Sequence, residues 1–384
     1  MMTLVKDYAE QIRGVSYKPE DVCEELNDES ITLLRANNIT DSGLCFDDLV
    51  YVRRNKVKDV QKLQKGDVLI CTSSGSKALV GKAAYVTKDM DMTFGAFCKV
   101  IRPHGVNTDY FQYFFQSPAY RKKISELAAG ANINNIRNEH IDGLAFYLPD
   151  IPTQQRIADT LDKVSEGIGL CRKMIGELEV MVQSRFNEVM DFAELSDETT
   201  VEKITERVKV GFVGTCEKYY TEETGIPMIR TGNITNHGID MRNLKYVTSE
   251  FNKRNKKSQI HNGDLLIARH GSNGQANVYE GPEAQCLNAV VIVPNQTVAK
   301  SRFLAELINS PAIKEQINRT LVGSTQNVVN TKSIANLTIR IPSLKLQEEY
   351  ESYVEKIDKT KLTIQKILDK MELEKLALML KYFA

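Results

Sequence analysis

The side chains best placed for chemistry in this chain are cations, and they occur twice in the same setting. Arg53, Arg54, Lys56, Lys58, Lys62 and Lys65 precede the run Gly66-Asp67-Val68-Leu69-Ile70, and Lys253, Arg254, Lys256 and Lys257 precede Gly263-Asp264-Leu265-Leu266-Ile267. One such cluster is commonly a solvated face. A cluster repeated ahead of a repeated strand points to phosphate contacts, because Lys and Arg neutralise a polyanion and release its counterions. Polar loops follow each run. Residues 72–77 bring Ser73, Ser74 and Lys77, and residues 269–275 bring Arg269, Ser272 and Asn273, all suited to base edges in a groove. A third matched stretch, Arg35-Ala36-Asn37-Asn38-Ile39-Thr40 against Arg230-Thr231-Gly232-Asn233-Ile234-Thr235, adds Arg35, Asn37, Arg230 and Asn233 to the candidate DNA-binding set.

Catalytic chemistry finds no comparable pattern. Ser74-Gly75-Ser76-Lys77 has the S-x-x-K spacing but lacks the companion SDN and KTG of acylating serines. Phosphate-loop, HExxH, GxSxG and GxGxxG motifs are missing, as is the Asn/Asp-Pro-Pro-aromatic run of amino-methyltransferases. Asp67 and Asp264 are lone carboxylates, better read as turn residues ahead of a buried strand. The histidines (His104, His140, His237, His261, His270) show no metal spacing, and the 7 cysteines are scattered without a CxxC pair, which predicts buried free thiols. No activity, metal or cofactor is therefore expected in this chain, and a stand-alone nuclease or methyltransferase lacks its motifs.

The elements that must position these residues follow from pattern. The 384 residues carry 50 Lys+Arg and 50 Asp+Glu, a balance that excludes a polycationic tail but not a local basic patch. No run approaches the roughly 20 apolar residues of a membrane span, and no signal-peptide core is present, so a cytoplasmic protein is expected. Short strand-like runs (68–72, 82–86, 99–101 and 145–148) surround a helical stretch at 110–129, interrupted near Ser117-Pro118. From about Thr153 to Met190 a long helix is predicted. Its seam of Ile157, Leu161, Val164, Ile168, Cys171, Ile175, Leu178 and Val182 alternates spacings of four and three. The seam recurs 193 residues on as Tyr350, Val354, Ile357, Lys361, Ile364, Leu368, Met371 and Lys375. Gly167, Gly169 and Gly176 fall off the seam, where they either weaken the first helix or allow close approach by a partner.

Many landmarks keep one order in both halves, so the chain is an internal duplication. Tyr51-Val52 matches Tyr246-Val247, and Val100-Ile101-Arg102-Pro103 matches Val291-Ile292-Val293-Pro294. Ser117-Pro118, Gly130, Ile141, Pro149 and Gln154 match Ser310-Pro311, Gly323, Ile334, Pro342 and Gln347. The predicted fold is α+β: two duplicated mixed α/β domains (1–150 and 193–342), each followed by a long helix (151–192 and 343–384). The helices would pair as an antiparallel two-helix coiled coil in a pseudo-twofold dumbbell.

This order, with GDVLI and GDLLI, the turns at Gly130 and Gly323 and the Pro-x-x-x-x-Gln helix entries, resembles the specificity subunits of type I restriction-modification systems. The second entry, Leu344-Lys345-Leu346-Gln347, lacks the second proline of the first. The resemblance implies that each domain is a target recognition domain reading half of a split double-stranded DNA site. It implies spacer helices that set the gap, and recruitment of two methylation subunits and then of restriction subunits. S-adenosylmethionine, ATP and Mg would belong to those partners. Apolar residues off the seam (Val180, Phe186, Leu362, Leu373, Leu376 and Leu380) mark the expected subunit interface. The alternative is a scaffold whose duplicated domains hold two copies of a protein partner without reading DNA.

Overall fold

The computed structural model describes residues 1–40, 43–76, 78–128, 134–222, 224–235, 238–269, 274–321 and 328–383. Two compact units are present, Met1–Lys173 with Ile364–Ala384 and Met174–Thr363. Each unit takes half of each long helix, Ile151–Phe192 and Leu344–Phe383. Each helix half buries its apolar stripe against the globular layer of its own unit.

The first unit is mixed α+β. One four-stranded antiparallel sheet has the order Ala83–Tyr85, Val68–Cys71, Cys98–Pro103, Ala9–Arg13. The other runs Met92–Phe94, Ser30–Leu34, Val50–Arg53, Val22–Cys23, with only the first pair parallel. The second unit repeats the plan. Its four-stranded sheet is Thr205–Val210, Ala289–Pro294, Leu265–Ala268, Ala276–Val278, and its second sheet is five-stranded around Ile226–Arg230 and Ala284–Leu287, again parallel to each other. The matched strands keep the same register: Leu69 lies opposite Val100, and Leu266 opposite Val291. Each Gly-Asp run is a turn, with Gly66 at φ +96° and Gly263 at φ +94°, where a side chain would be strained.

Two short helices follow in each unit, Thr108–Gln116 with Pro118–Ala128 and Ser301–Asn309 with Pro311–Leu321. Proline ends one helix and opens the next, since it has no N–H to donate and its φ suits a first turn. The repeated spacing Pro-x-x-x-x-Gln has a structural reason. Gln154, almost fully buried, accepts from Asn107 N (2.9 Å) and donates to Pro149 O (2.8 Å). Gln347 accepts from Lys300 N (2.9 Å) and donates to Pro342 O (3.0 Å). Each glutamine pins a long helix to the start of a short one.

The helix halves run antiparallel within each unit. In the first, Ile157 and Leu161 share a core with Met379 and Phe383, Arg172 pairs with Glu372 at 2.7 Å, and Gly167 sits against the Met371 side chain. Gly167 is therefore a point of close approach, whereas Gly169 and Gly176 face open space. In the second unit Phe186 packs on Tyr350 (5.9 Å between centroids), and Glu179 pairs with Lys361 at 2.9 Å. The two lysines on the second seam are accommodated differently: Lys361 by that ion pair, Lys375 by lying over the Tyr113 ring (5.7 Å), where burial lowers its pKa.

Candidate nucleic-acid interface

The candidate residues lie on loops and strand ends at both ends of the second sheet of each unit: Arg35 and Arg230 lie where Ser30–Leu34 and Ile226–Arg230 finish, whereas Arg53 lies opposite Ser30 and Val247, ahead of the second cluster, opposite Ile226. Arg35 and Arg230 close equivalent strands, and in both units the next turn is built by an asparagine. Asn38 Oδ1 accepts from Arg35 N (2.8 Å), and Asn233 Oδ1 accepts from Arg230 N (3.1 Å). Asn233 is buried and its amide also donates to Asp240 O (3.1 Å), so it shapes the loop and is not free to reach a base. The repeated Asn is legible as a landmark of the duplication; its role emerges only from the turn geometry. The Nε atoms of Arg35 and Arg230 are both buried without a hydrogen-bond acceptor, the same donor left open at the same place in both units.

The first cluster is largely committed to acids of its own unit. Arg35 Nη2 bonds Asp48 (2.7 Å), which also accepts from Asn37 (3.0 Å). Arg54 forks onto Asp91 with contacts of 2.9 and 2.8 Å and donates to Ser30 O (2.9 Å), holding the Asp91 carboxyl below the usual range. Lys56 pairs with Asp21 (3.0 Å), whose carboxyl is lowered first by the Lys18 N–H and then by Lys56. Arg53 and Lys58 are exposed. Ser73 and Ser74 are half-buried on a strand paired with Asn134–Asn135. The acid partners come from distant loops, which no local pattern announces.

The second cluster is arranged otherwise. Thr248 caps the helix Ser249–Arg254, accepting from Phe251 N (3.2 Å), and this helix with the turn after it presents Lys253, Arg254, Lys256 and Lys257 to solvent. Arg254 reaches Glu250 at 3.5 Å, an exposed pair of little strength. Lys253, Lys256 and Lys257 have no acid partner among the described residues. Arg269 donates to neutral acceptors, Nη1 to Asn288 Oδ1 (2.9 Å) and Nε to Val329 O (3.3 Å), and meets no acid among the described residues. Lys77, Ser272 and Asn273, with the turns at Gly130 and Gly323, lie outside the described residues.

Comparison with known proteins decides what this arrangement belongs to. The family model for the type I restriction modification DNA specificity domain matches residues 16–180 and again 198–374. The chain belongs to that family. It is 30% identical over 379 residues to the StySPI specificity subunit of Salmonella potsdam, covering 92% of this chain and 81% of the relative. It is 27% identical over 383 residues to the EcoKI specificity subunit of Escherichia coli K12, with the same coverage. In fold it is similar to the S subunit of a type I system from M. genitalium, with TM-score 0.61 at 14% identity, covering 100% of this chain and 96% of that one. The protein is thus a type I specificity subunit with two DNA specificity domains, and the relatives it matches are named specificity subunits.

The apolar set on the long helices of the specificity subunit divides. Val180, Leu362, Leu373, Leu376 and Leu380 are exposed, with Leu170, Met174, Met181 and Ile367 beside them in sequence. Phe186 is not: at 2% exposure it lies under Phe303 (5.3 Å) and Tyr350 (5.9 Å) in the core of the second unit. It belongs to that core and leaves the expected subunit interface. A groove of about 820 Å³ on the second unit is lined by Val180, Met181, Arg185, Lys345, Glu349 and Tyr353. Among the described residues no group of His, Cys, Asp or Glu comes together to hold a metal, and no helix is long and apolar enough to cross a membrane.

Proposed function

We propose that the subunit binds a bipartite duplex DNA target, one half-site per unit, and recruits the subunits that act on it. The observation that carries this reading is the basic cluster recurring beside equivalent strand ends in both units, with Arg230, Lys253, Lys256, Lys257 and Arg269 of the second unit meeting no acid partner among the described residues. Arg35, Arg53, Arg54, Lys56, Lys58, Ser73, Ser74 and Asn37 form the corresponding set of the first. Phosphate contacts of this kind position a protein on the duplex, and the polar loops beside them carry the sequence readout.

The exposed apolar face of the long helices and its groove suit helices of two methylation subunits, which would bring S-adenosylmethionine, and the assembled enzyme would then take up restriction subunits using ATP and Mg. The chain itself contributes recognition and no chemistry, and cytoplasmic DNA is the expected substrate. Each long helix passes unbroken from one unit into the other, so helix length is proposed to set the gap between half-sites. Co-expression with the methylation subunit, followed by mapping of methylated adenines in genomic DNA, tests both statements. The expected result is a split motif, whose gap grows by roughly three base pairs when one heptad, about 10 Å, is added to each helix. The absence of any motif would return the protein to the scaffold reading, and a continuous motif would overturn the split target.

A further inference from the structure

Both units end one sheet strand beside a tight turn in the same place, running from Phe94 to Cys98 in the first and, one residue shorter, from Cys286 to Ala289 in the second. In the first, Val15 N donates to Phe94 O (2.8 Å), Cys98 N to Gly95 O (2.8 Å), and Thr72 N to Phe97 O (2.9 Å). In the second, Phe212 N donates to Cys286 O (2.7 Å), Gly211 N to Ala289 O (2.9 Å), and Asn288 N to Phe212 O (2.9 Å). A glycine floors each turn. A Cβ on Gly14 would collide with the Gly95 carbonyl, and one on Gly211 would stand 2.5 Å from the Cys286 carbonyl oxygen. The same chain then crosses in front: Ile136 N bonds Thr72 O (2.8 Å), and Val329 N bonds Arg269 O (3.1 Å). By register, Cys98 opposite Cys71 corresponds to Ala289 opposite Ala268. Counted back from the strand that follows, Thr72 and Phe97 therefore occupy the places of Arg269 and Asn288.

Side-chain chemistry at these equivalent places is opposite. Asn288, at φ +54°, accepts from Arg269 and is braced by Thr231, whose Oγ1 donates to Asn288 O (3.0 Å). This is a built hydrogen-bonding tip, with the residue types that read purines in a major groove. Phe97 stands at 69% exposure on a turn closed by Cys98 N to Gly95 O and held by Thr72 N to its own carbonyl, and the core beneath it closes without its ring. An exposed phenylalanine alone would mean little. Its place is the one where the other unit carries an Arg–Asn pair whose guanidinium meets no acid among the described residues. We infer that this turn is the base-reading tip of both units, with Phe97 meeting a thymine methyl in the half-site of the first and Arg269 with Asn288 reading a purine in that of the second. The inference rests on the DNA-recognition reading above.

Selection of duplexes from a randomised pool by the full chain with its methylation subunit tests it. Phe97→Ala should relax one thymine in one half-site and leave the other half-site unchanged; Asn288→Ala should do the converse. Replacing that thymine by uracil, which removes only the methyl, should weaken wild-type binding about fourfold, the share of one buried methyl. The same replacement should leave Phe97→Ala unaffected. An unaltered motif in Phe97→Ala, or wild-type indifference to uracil throughout the half-site, overturns the tip while sparing recognition itself. A wild-type complex that selects no sequence overturns both.

Discussion

The two units share a backbone plan and distribute charge differently. In the first, buried and surface acids meet basic partners: Asp67 with Arg102, Asp48 with Arg35, Asp91 with Arg54, Asp21 with Lys56. In the second, the residue at the place of Arg102 is Val293, so the buried Asp264 lacks that fork, and three lysines face solvent without acids among the described residues. A duplicated scaffold thus preserves backbone and core while its ionic partnerships drift apart. The ladder register and the glycine turns constrain the former. Nothing in the scaffold constrains the latter.

Copying the second unit's residue into the first is the most severe way to break this comparison. Arg102→Val leaves Asp67, 1% exposed, without the fork of two 2.8 Å contacts from Nε and Nη2, and only the Gln64 N–H (2.8 Å) remains. Removing one member of a buried pair costs about 3–5 kcal/mol, far more than the intact pair contributes relative to apolar residues. A denaturant titration should show that loss for Arg102→Val, and Arg102→Val combined with Asp67→Asn should recover part of it, since the uncompensated charge is gone. Equal stability of wild type and Arg102→Val would mean that the pair is solvated and the contrast empty.

The second prediction concerns where salt-sensitive affinity resides. Each phosphate contact adds about 0.9 to the slope of log affinity against log salt, so replacing Lys253, Lys256 and Lys257 with Ala should flatten the slope by roughly 2.7. Replacing Arg54 and Lys56, which must first leave Asp91 and Asp21, should change it by less than about 1. Reversed magnitudes would show that the ion pairs of the first unit open on DNA and that pairing in the free protein does not predict contact.

Much of this architecture is legible in the sequence, because duplication displays itself through residues whose reasons are local. Gly66 and Gly263 need a left-handed turn, Pro118 and Pro311 punctuate helices, and Gln154 and Gln347 tie helix entries to neighbours only a few tens of residues away. The seam of the long helices is readable for the same reason. What stays hidden depends on distant partners. Phe186 has the spacing of an off-seam surface residue, yet Phe303 and Tyr350 close over it. Asn233 has the chemistry of a donor for DNA, yet its amide is spent inside its own loop. Arg54 reads as free as Lys256, although Asp91 lies 37 residues downstream. Phe97 carries no signal, since exposure on a turn tip is not a property of sequence spacing.

The smallest expected effect is also the one that separates the two Gly-Asp turns most cleanly. Burial pushes the Asp264 carboxyl up, opposed by the His261 N–H (2.9 Å) and by the positive charge of Lys209. A folded-state pKa above the unfolded value means that folding favours the protonated acid. The associated stability is fully present below about pH 4 and is lost as pH rises through the folded value, so at neutral pH the buried charge is a burden. Asp264→Asn keeps an oxygen for His261 N–H and removes the titration. It should therefore stabilise the protein at pH 7 by on the order of 1 kcal/mol and flatten its stability between about pH 4 and pH 7. Asp67→Asn in the first unit should do the opposite at pH 7, because it strips the Arg102 guanidinium, only 19% exposed, of its counter-charge. If both substitutions destabilise to the same extent, Val293 has not altered the electrostatics of its turn, and the two units are equivalent where they look most different.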